Sequence, residues 1–337
     1  MNERVFHVPA QSGFWGKHYS LSLSKLKQEA AKLLRGADLI CCHMLYRYHI
    51  QWATSIARSA GIPYWIVPHG SLDPFVFTYR AWLKKLWLFF IGKRIIRQAK
   101  HVIVATEREN ENVLSLFGNV NTCIVHWPVT NVDTSKRTNL RAKIRAKHNI
   151  PKNARVLLFL GRLHSIKQPL KTIDAFGIAS DSNLHLIMAG PNDTLTKSEC
   201  ERYCTMHKIS NVHIVGPIFG SEKYDYYLGA DAFISLSYKE NFGYTIVEAL
   251  ACGIPVILSP GIGLTIEFAK VNCGWILDST DIKAVSFVLK QFSQASQDTL
   301  IEMGRRGQHW VQRELSSERF SKTLRKLIIE DIKDKKY

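Results

Sequence analysis

Two glutamates, Glu240 and Glu248, stand eight positions apart in the run YKENFGYTIVEALACGIPVILSP, residues 238–260. Glu248 lies among Ile246, Val247, Ala249 and Leu250, and burying a bare carboxylate costs several kcal/mol, so it needs a partner. The vicinal diol of a ribose offers two hydrogen bonds to one carboxylate; a buried arginine is the internal alternative. Glu240 opens the stretch Glu240-Asn241-Phe242-Gly243, which follows the apolar run AFISLSY and precedes the helix-like run TIVEALA. Exposed backbone N–H groups at a helix start, helped by the helix dipole, make an anion site. A carboxylate there would repel phosphate, so Glu240 suits neutral hydroxyls. A second group lies upstream, where Gly161 and Arg162 follow the run VLLFL and Lys167 stands five residues further on. Glycine lets the chain turn sharply and a ligand approach its backbone. The planar fork of Arg162 and the point charge of Lys167 suit a diphosphate; the plain alternative is two surface cations.

These groups need elements to hold them. From residue 150 on, β-rich runs at 156–161, 184–190, 212–216, 232–237, 255–259 and 274–277 alternate with helix-like runs such as 168–179, 222–229 and 244–252. Near-continuous apolar strands separated by helices predict a parallel sheet covered on both faces. A similar alternation fills the first part, with strands expected at 38–45, 63–68, 101–105 and 122–125 and helices at 51–60, 77–99 and 107–117. The expected fold is therefore α/β, two Rossmann-like doubly wound domains facing across a cleft, with ligands beyond the carboxyl ends of the strands. The first domain spans 1–133. The polar, basic text at 134–153 reads as a linker, 154–315 is the second domain, and 316–337 is a terminal helix that can cross back to the first.

Composition narrows the classes. With 337 residues, 46% hydrophobic and 22% charged, the chain is long enough for two ordinary globular domains. No apolar run reaches the ~18 to 20 residues of a membrane-spanning helix, and residues 1–19 have no continuous apolar core of a secretory signal. Seven scattered cysteines read as reduced thiols of a cytosol. Cys200, Cys204 and His207 share a helical face, but no second ligand pair at zinc-like spacing accompanies them. Against 28 acidic residues stand 45 basic ones, a formal +17 that favours anionic partners. No zinc-finger, RNA-recognition or helix-turn-helix signature accompanies that charge, so nucleic acid is not the expected partner. The stretch RAWLKKLWLFFIGKRIIR, residues 80–97, mixes aromatics and cations at helical spacing. It can lie on an anionic membrane, or pack its aromatics inward as an ordinary domain helix.

The motifs together resemble a known family. The run ENFGYTIVEALACGIPV is similar to the E-x7-E signature of the retaining group 1 (family 4) glycosyltransferases with the GT-B fold, and GRLHSIK at 161–167 resembles that family's G-R-L-x-x-x-K stretch. PHGSLDP at 68–74 is similar to a run in a bacterial surface-glycan branch, and Ala189-Gly190-Pro191 to another strand end. The resemblance implies transfer of a sugar from a nucleoside diphosphate donor to a glycan or lipid-linked acceptor, with retained anomeric configuration. It implies that Arg162 and Lys167 hold the diphosphate and stabilise the leaving charge, that Glu240 binds donor-sugar hydroxyls and Glu248 the ribose, and that the backbone at Asn241, Phe242 and Gly243 completes the cradle. Gly161 and Gly190 border the donor, and His69 reaches the sugar from the first domain. No cofactor beyond the nucleotide sugar and no divalent metal is expected, since no Asp-x-Asp motif is present. The implied place is the cytoplasm, including the cytoplasmic face of the inner membrane. One departure stands out: Met1 to Pro9 resembles the family's third strand region, so its first strand–helix–strand unit is expected to be missing. That leaves a catalytically silent nucleotide-sugar-binding protein or partner subunit as the alternative reading.

Overall fold

The computed structural model describes residues 31–78, 80–179 and 181–333. Two compact units emerge, one from residues up to His126 together with those from Ser321 on, the other from Trp127 to Phe320. In the first, strands β1 (Ile40–His43), β2 (Tyr64–Val67), β3 (His101–Val104) and β4 (Thr122–Ile124) form a parallel sheet in the order 1-2-3-4. Helices α1 (Tyr48–Ser59), α2 (Ala81–Trp87), α3 (Lys93–Arg97) and α4 (Glu107–Phe117) alternate with them. Ile66, Val102, Val104 and Val113 are fully buried in its core. The expected resemblance of Met1 to Pro9 to a third strand falls outside the described residues.

The second unit holds β5 (Arg155–Leu160), β6 (Leu184–Ala189), β7 (Val212–Gly216), β8 (Ala232–Ser235), β9 (Val256–Leu258) and β10 (Gly274–Ile276), parallel throughout, in the order 10-9-8-5-6-7. Its helices are α5 (Arg137–Lys147), α6 (Pro169–Ala179), α7 (Lys197–Met206), α8 (Glu222–Gly229), α9 (Tyr244–Ala251), α10 (Thr265–Val271), α11 (Ile282–Gln294) and α12 (Gln297–Glu314). Every residue of β6, β8 and β9 is buried, as continuous apolar strands require when helices cover both faces. Cys200 and Cys204 pack into this core as apolar groups.

The segment 134–153, expected as a linker, instead carries α5, an integral helix of the second unit. Ile144 seats it on α8, so close that a Cβ on Gly229 would stand 2.7 Å from the Ile144 side chain. Arg145, 2% exposed, donates to Asp231 at 2.7 Å and to the carbonyls of Gly229 and Ala154 at 2.8 and 3.0 Å. Asp231 also accepts from the Val156 N–H at 2.8 Å and from Arg141. A basic helix with few apolar residues is thus held by a carboxylate 86 positions away, which local composition does not reveal.

The stretch expected as one helix over 77–99 is a 3₁₀ turn at Pro74–Thr78, then α2, a π turn at Leu88–Gly92, and α3. Its aromatics do not pack inward together. Trp87 stacks edge-on against Tyr46, whereas Trp82, Phe89 and Phe90 are 68%, 72% and 68% exposed. The final helix, α13 (Ser317–Lys333), has its residues from Ser321 on in the first unit. There Asp331, 3% exposed, accepts from the Trp65 indole at 2.6 Å and pairs with His101 at 3.2 Å.

Removing Asp231 takes the anion from three guanidinium groups, those of Arg141, Arg145 and Arg155, of which Arg145 is buried, and Asp231→Ala is expected to lower the stability of the second unit by about 3–5 kcal/mol. Denaturant unfolding that follows this unit checks it; a loss below 1 kcal/mol would mean that the network is dispensable.

Candidate functional site

In the second sheet β5 continues to β6 and β7 on one side and to β8, β9 and β10 on the other. The strand order reverses between β5 and β8, and in open parallel sheets the crevice beyond the carboxyl ends at such a switch point is where ligands bind. The two sequence groups singled out above flank it. Gly161, Arg162 and Lys167 follow β5, and Glu240, Asn241, Phe242 and Gly243 follow β8.

The loops at this edge lock together through backbone. Gly161 N–H donates to Ala189, Leu163 N–H to Pro191 and Leu195 N–H to Leu163, all at 2.9 Å, so the loops after β5 and β6 stay paired beyond their strands. Gly190 permits this: a Cβ there would lie 1.7 Å from the Gly161 carbonyl oxygen. Tyr238 N–H reaches the Ile166 carbonyl at 2.9 Å, and Glu240 exchanges backbone hydrogen bonds with Gly261 and Gly263 at 3.1 and 2.7 Å. Gly261 sits against Tyr238, where a Cβ would stand 2.2 Å from the carbonyl oxygen. The side chains of these loops are therefore carried on a stiff frame.

Across the switch point the Lys167 ammonium pairs directly with the Glu240 carboxylate. Both are mostly covered, at 20% and 24% side-chain exposure. Burial and then the Arg162 charge pull Lys167 down to about 8; the Glu240 carboxylate it touches acts in the opposite sense. Arg162, 60% exposed, pairs with Asp193 in the loop after β6. Asp193 was not anticipated, since nothing around it forms a motif.

Gly243, at φ 77°, is the amino-terminal cap residue of α9, and no side chain caps this end. A Cβ on Gly243 would meet the side chains of Ile246 at 2.8 Å and Glu240 at 3.2 Å. The Phe242 ring is buried, 4% exposed, and lies edge-on to Tyr244 at 5.2 Å.

Glu248 points from α9 toward α8. One carboxylate oxygen accepts from Lys223 at 2.6 Å, the other from the Tyr227 hydroxyl at 3.2 Å. The internal partner weighed from sequence is thus present, but it is a lysine and a tyrosine rather than an arginine. Burial pushes Lys223 down, and the Glu248 hydrogen bond and charge outweigh it, raising the ammonium above its ordinary range. Neither partner has a sequence signature; only the turn of α8 brings them within reach.

His69 belongs to the first unit, at the turn after β2, with φ 51°. Its Nε2 lies 2.8 Å from Nδ1 of His43, the last residue of β1, and the two rings stack. Burial holds both imidazoles below the usual histidine range, and on His43 the neighbouring His69 adds to it. Glu109, 3% exposed, fastens this turn: its carboxylate accepts from the Gly70 N–H at 2.5 Å and the Ala105 N–H at 2.8 Å. His43 and Glu109 were not singled out from sequence.

Two parallel-sheet α/β units, with cations and carboxylates gathered at a strand-order switch, define a protein of the GT-B fold. The chain belongs to the family described as glycosyl transferases group 1, which it matches over residues 141–310; residues 3–126 match the glycosyl transferase 4-like domain. It is 28% identical over 214 residues to the D-inositol 3-phosphate glycosyltransferase of Streptomyces avermitilis, a match covering 59% of this chain and 46% of that protein. The chain thus spans about half the length of such curated relatives. Among solved structures it superposes on HepE of Anabaena in complex with UDP with a TM-score of 0.75 at 16% identity, covering 93% of this chain and 84% of the other. Sucrose-phosphate synthase of Thermosynechococcus elongatus gives 0.70 at 20% identity, covering 92% and 80%.

The two strand-end glycines of the site should differ sharply. A Cβ on Gly161 meets nothing within 4 Å, so Gly161→Ala is expected to change stability by less than ~1 kcal/mol. Gly190→Ala drives a methyl group into backbone and should cost about 3 kcal/mol or more. Equal unfolding midpoints for the two variants would refute the close approach as a constraint.

Proposed function

We propose that this chain is a retaining, metal-independent glycosyltransferase, moving a sugar from a nucleoside diphosphate sugar to a hydroxyl of a glycan or lipid-linked glycan. The bond between the anomeric carbon and the diphosphate oxygen breaks, and the acceptor oxygen forms its bond to the same carbon on the same face. The diphosphate leaves with the electron pair of the broken bond, and the acceptor's proton leaves with it. The observation that carries this reading is the Lys167–Glu240 pair at the switch point, with Arg162 beside it. An incoming diphosphate competes for Lys167 with Glu240 and for Arg162 with Asp193. The carboxylate of Glu240 is then released to accept from sugar hydroxyls. The two cations concentrate positive charge where the leaving group develops negative charge, usually the largest catalytic contribution. They supply what a divalent ion supplies in other sites, which is why no metal is assigned. The backbone at Asn241, Phe242 and Gly243, at the uncapped start of α9, adds N–H donors. The UDP bound in the HepE structure supports a nucleotide as the ligand here. His69, with His43 behind it, is assigned to the sugar.

Arg162→Ala and Lys167→Ala are each expected to lower kcat by 10²–10³, about 3–4 kcal/mol, while a chelator leaves the rate unchanged. A strict requirement for magnesium or manganese contradicts the metal-free assignment. The Lys167 ammonium is the binding form, and its proton is lost as pH rises through about 8. Affinity for a nucleoside diphosphate should therefore decline on the alkaline side, and the Lys167→Arg variant should lose that decline.

Glu248 gives a second test. Glu248→Gln replaces one acceptor by a donor and is expected to weaken nucleoside diphosphate binding by about 1–3 kcal/mol. Calorimetry with ribo- and 2′-deoxyribonucleoside diphosphates reads it: wild type should prefer the ribonucleotide and the variant should barely distinguish them. If both proteins treat the two nucleotides alike and the variant only melts earlier, Glu248 serves α8 and not ribose.

A further inference from the structure

We infer that the outward face of the α2–π–α3 segment is a docking surface for an anionic lipid bilayer. From Ala81 to Arg97 the chain is one continuous helical rod, α2, the π turn and α3 in succession. Its inner side is well seated: Gly92, Ile95 and Ile96 are buried, and Trp87 packs on Tyr46. Its outer side is apolar as well. Leu86 stands four residues after Trp82, and Phe89 and Phe90 stand three and four residues after Leu86, which keeps them on one side of a helix. All four are exposed, by 68%, 50%, 72% and 68%, with Phe89 and Phe90 edge-to-face at 5.0 Å. A cluster of bulky exposed aromatics marks a surface meant to meet something.

Charge identifies the occupant. Between Asp73 and Glu107 the sequence holds no carboxylate but seven cations: Arg80, Lys84, Lys85, Lys93, Arg94, Arg97 and Lys100. Lys85, Lys93, Arg94 and Arg97 are exposed, and the two arginines donate only to neutral oxygens, of Gln98 and of the Phe117 carbonyl. Aromatic side chains flanked by the exposed cations Lys85, Lys93, Arg94 and Arg97 match the interface of a bilayer rich in acidic headgroups: rings sink to the acyl boundary while the cations meet phosphate. A protein partner would need a surface both apolar and strongly acidic; a second copy of this chain, at +17, repels itself. The inference is independent of the donor chemistry proposed above, because none of these residues belongs to that site.

Co-sedimentation of the full chain with vesicles tests it. Wild type should partition at least about tenfold more strongly into phosphatidylcholine vesicles with one-third phosphatidylglycerol than into pure phosphatidylcholine, and 1 M salt, where the Debye length is about 3 Å, should abolish the difference. The triple variant Trp82→Ala/Phe89→Ala/Phe90→Ala and the triple variant Lys85→Gln/Lys93→Gln/Arg94→Gln should each lose about tenfold or more in partitioning, with unchanged thermal unfolding. Equal partitioning into both vesicle types, or an aromatic variant that partitions like wild type, overturns the assignment. So does wild type that stays in the supernatant and self-associates in sedimentation velocity. If the aromatic variant fails to fold, the charge variant and the salt series decide alone.

Discussion

The site rests on one steric fact, the contact of bare backbone at Gly190 with the carbonyl of Gly161. Here β5 and β6 keep their pairing past the last strand residue, through Gly161, Leu163 and Leu195. The chain after Arg162 is therefore folded back over the edge of the sheet, and Leu163 is buried beneath it. With that turn set, the 3₁₀ turn Ser165–Lys167 carries Lys167 across the switch point to Glu240. A second close approach, Gly261 against Tyr238, does the same for the loop that presents Glu240.

The ion pairs of the chain divide by environment, and the division bears on what each can do. Asp231 is 2% exposed and has every strong donor around it fixed in place, so its network holds α5, β5 and β8 as one body. Such a buried pair is hard to break. Arg162–Asp193 lies in solvent, where an ion pair is worth about 0–1 kcal/mol. It orients the guanidinium and yields readily to a better anion. Lys167–Glu240 sits between these limits, covered enough to depress the lysine yet still 20% and 24% exposed at its side chains.

Much of this was legible in the sequence. The apolar strands and the helices at 107–117 and 222–229 stand where periodicity placed them, since burial on both faces writes itself into continuous apolar runs. The residues singled out after β5 and β8 do stand at strand ends and at a helix start, because those are local features. What escaped were partners supplied by distance in sequence. Arg145 finds Asp231 86 positions on, so a real helix read as a linker. Thr106 and Glu109 have the spacing of a capping box, and Thr106 does accept from the Glu109 N–H at 3.1 Å. The Glu109 carboxylate, however, leaves the helix to fasten the turn at Gly70, which spacing alone cannot express. The outward aromatics of Trp82 to Phe90 were ambiguous for a similar reason: a helix apolar on both sides has no periodicity that distinguishes core from surface.

Glu248 shows how two readings posed as rivals can coexist. A carboxylate has about four acceptor positions, and Lys223 and Tyr227 occupy one on each oxygen. The Tyr227 hydroxyl is deeply buried, and burial with the adjacent Glu248 charge pushes its pKa well up, so it remains a fixed donor at any physiological pH. Lys223, on a partly exposed stem, keeps the charge balanced. The protein thus meets the cost of a carboxylate inside the apolar helix α9 by itself, and needs no ligand to do so. Two of the acceptor positions are left over for a diol, on a carboxylate that Lys223 and Tyr227 already hold in place. Internal satisfaction is then the condition that makes an external partner affordable, not evidence against one.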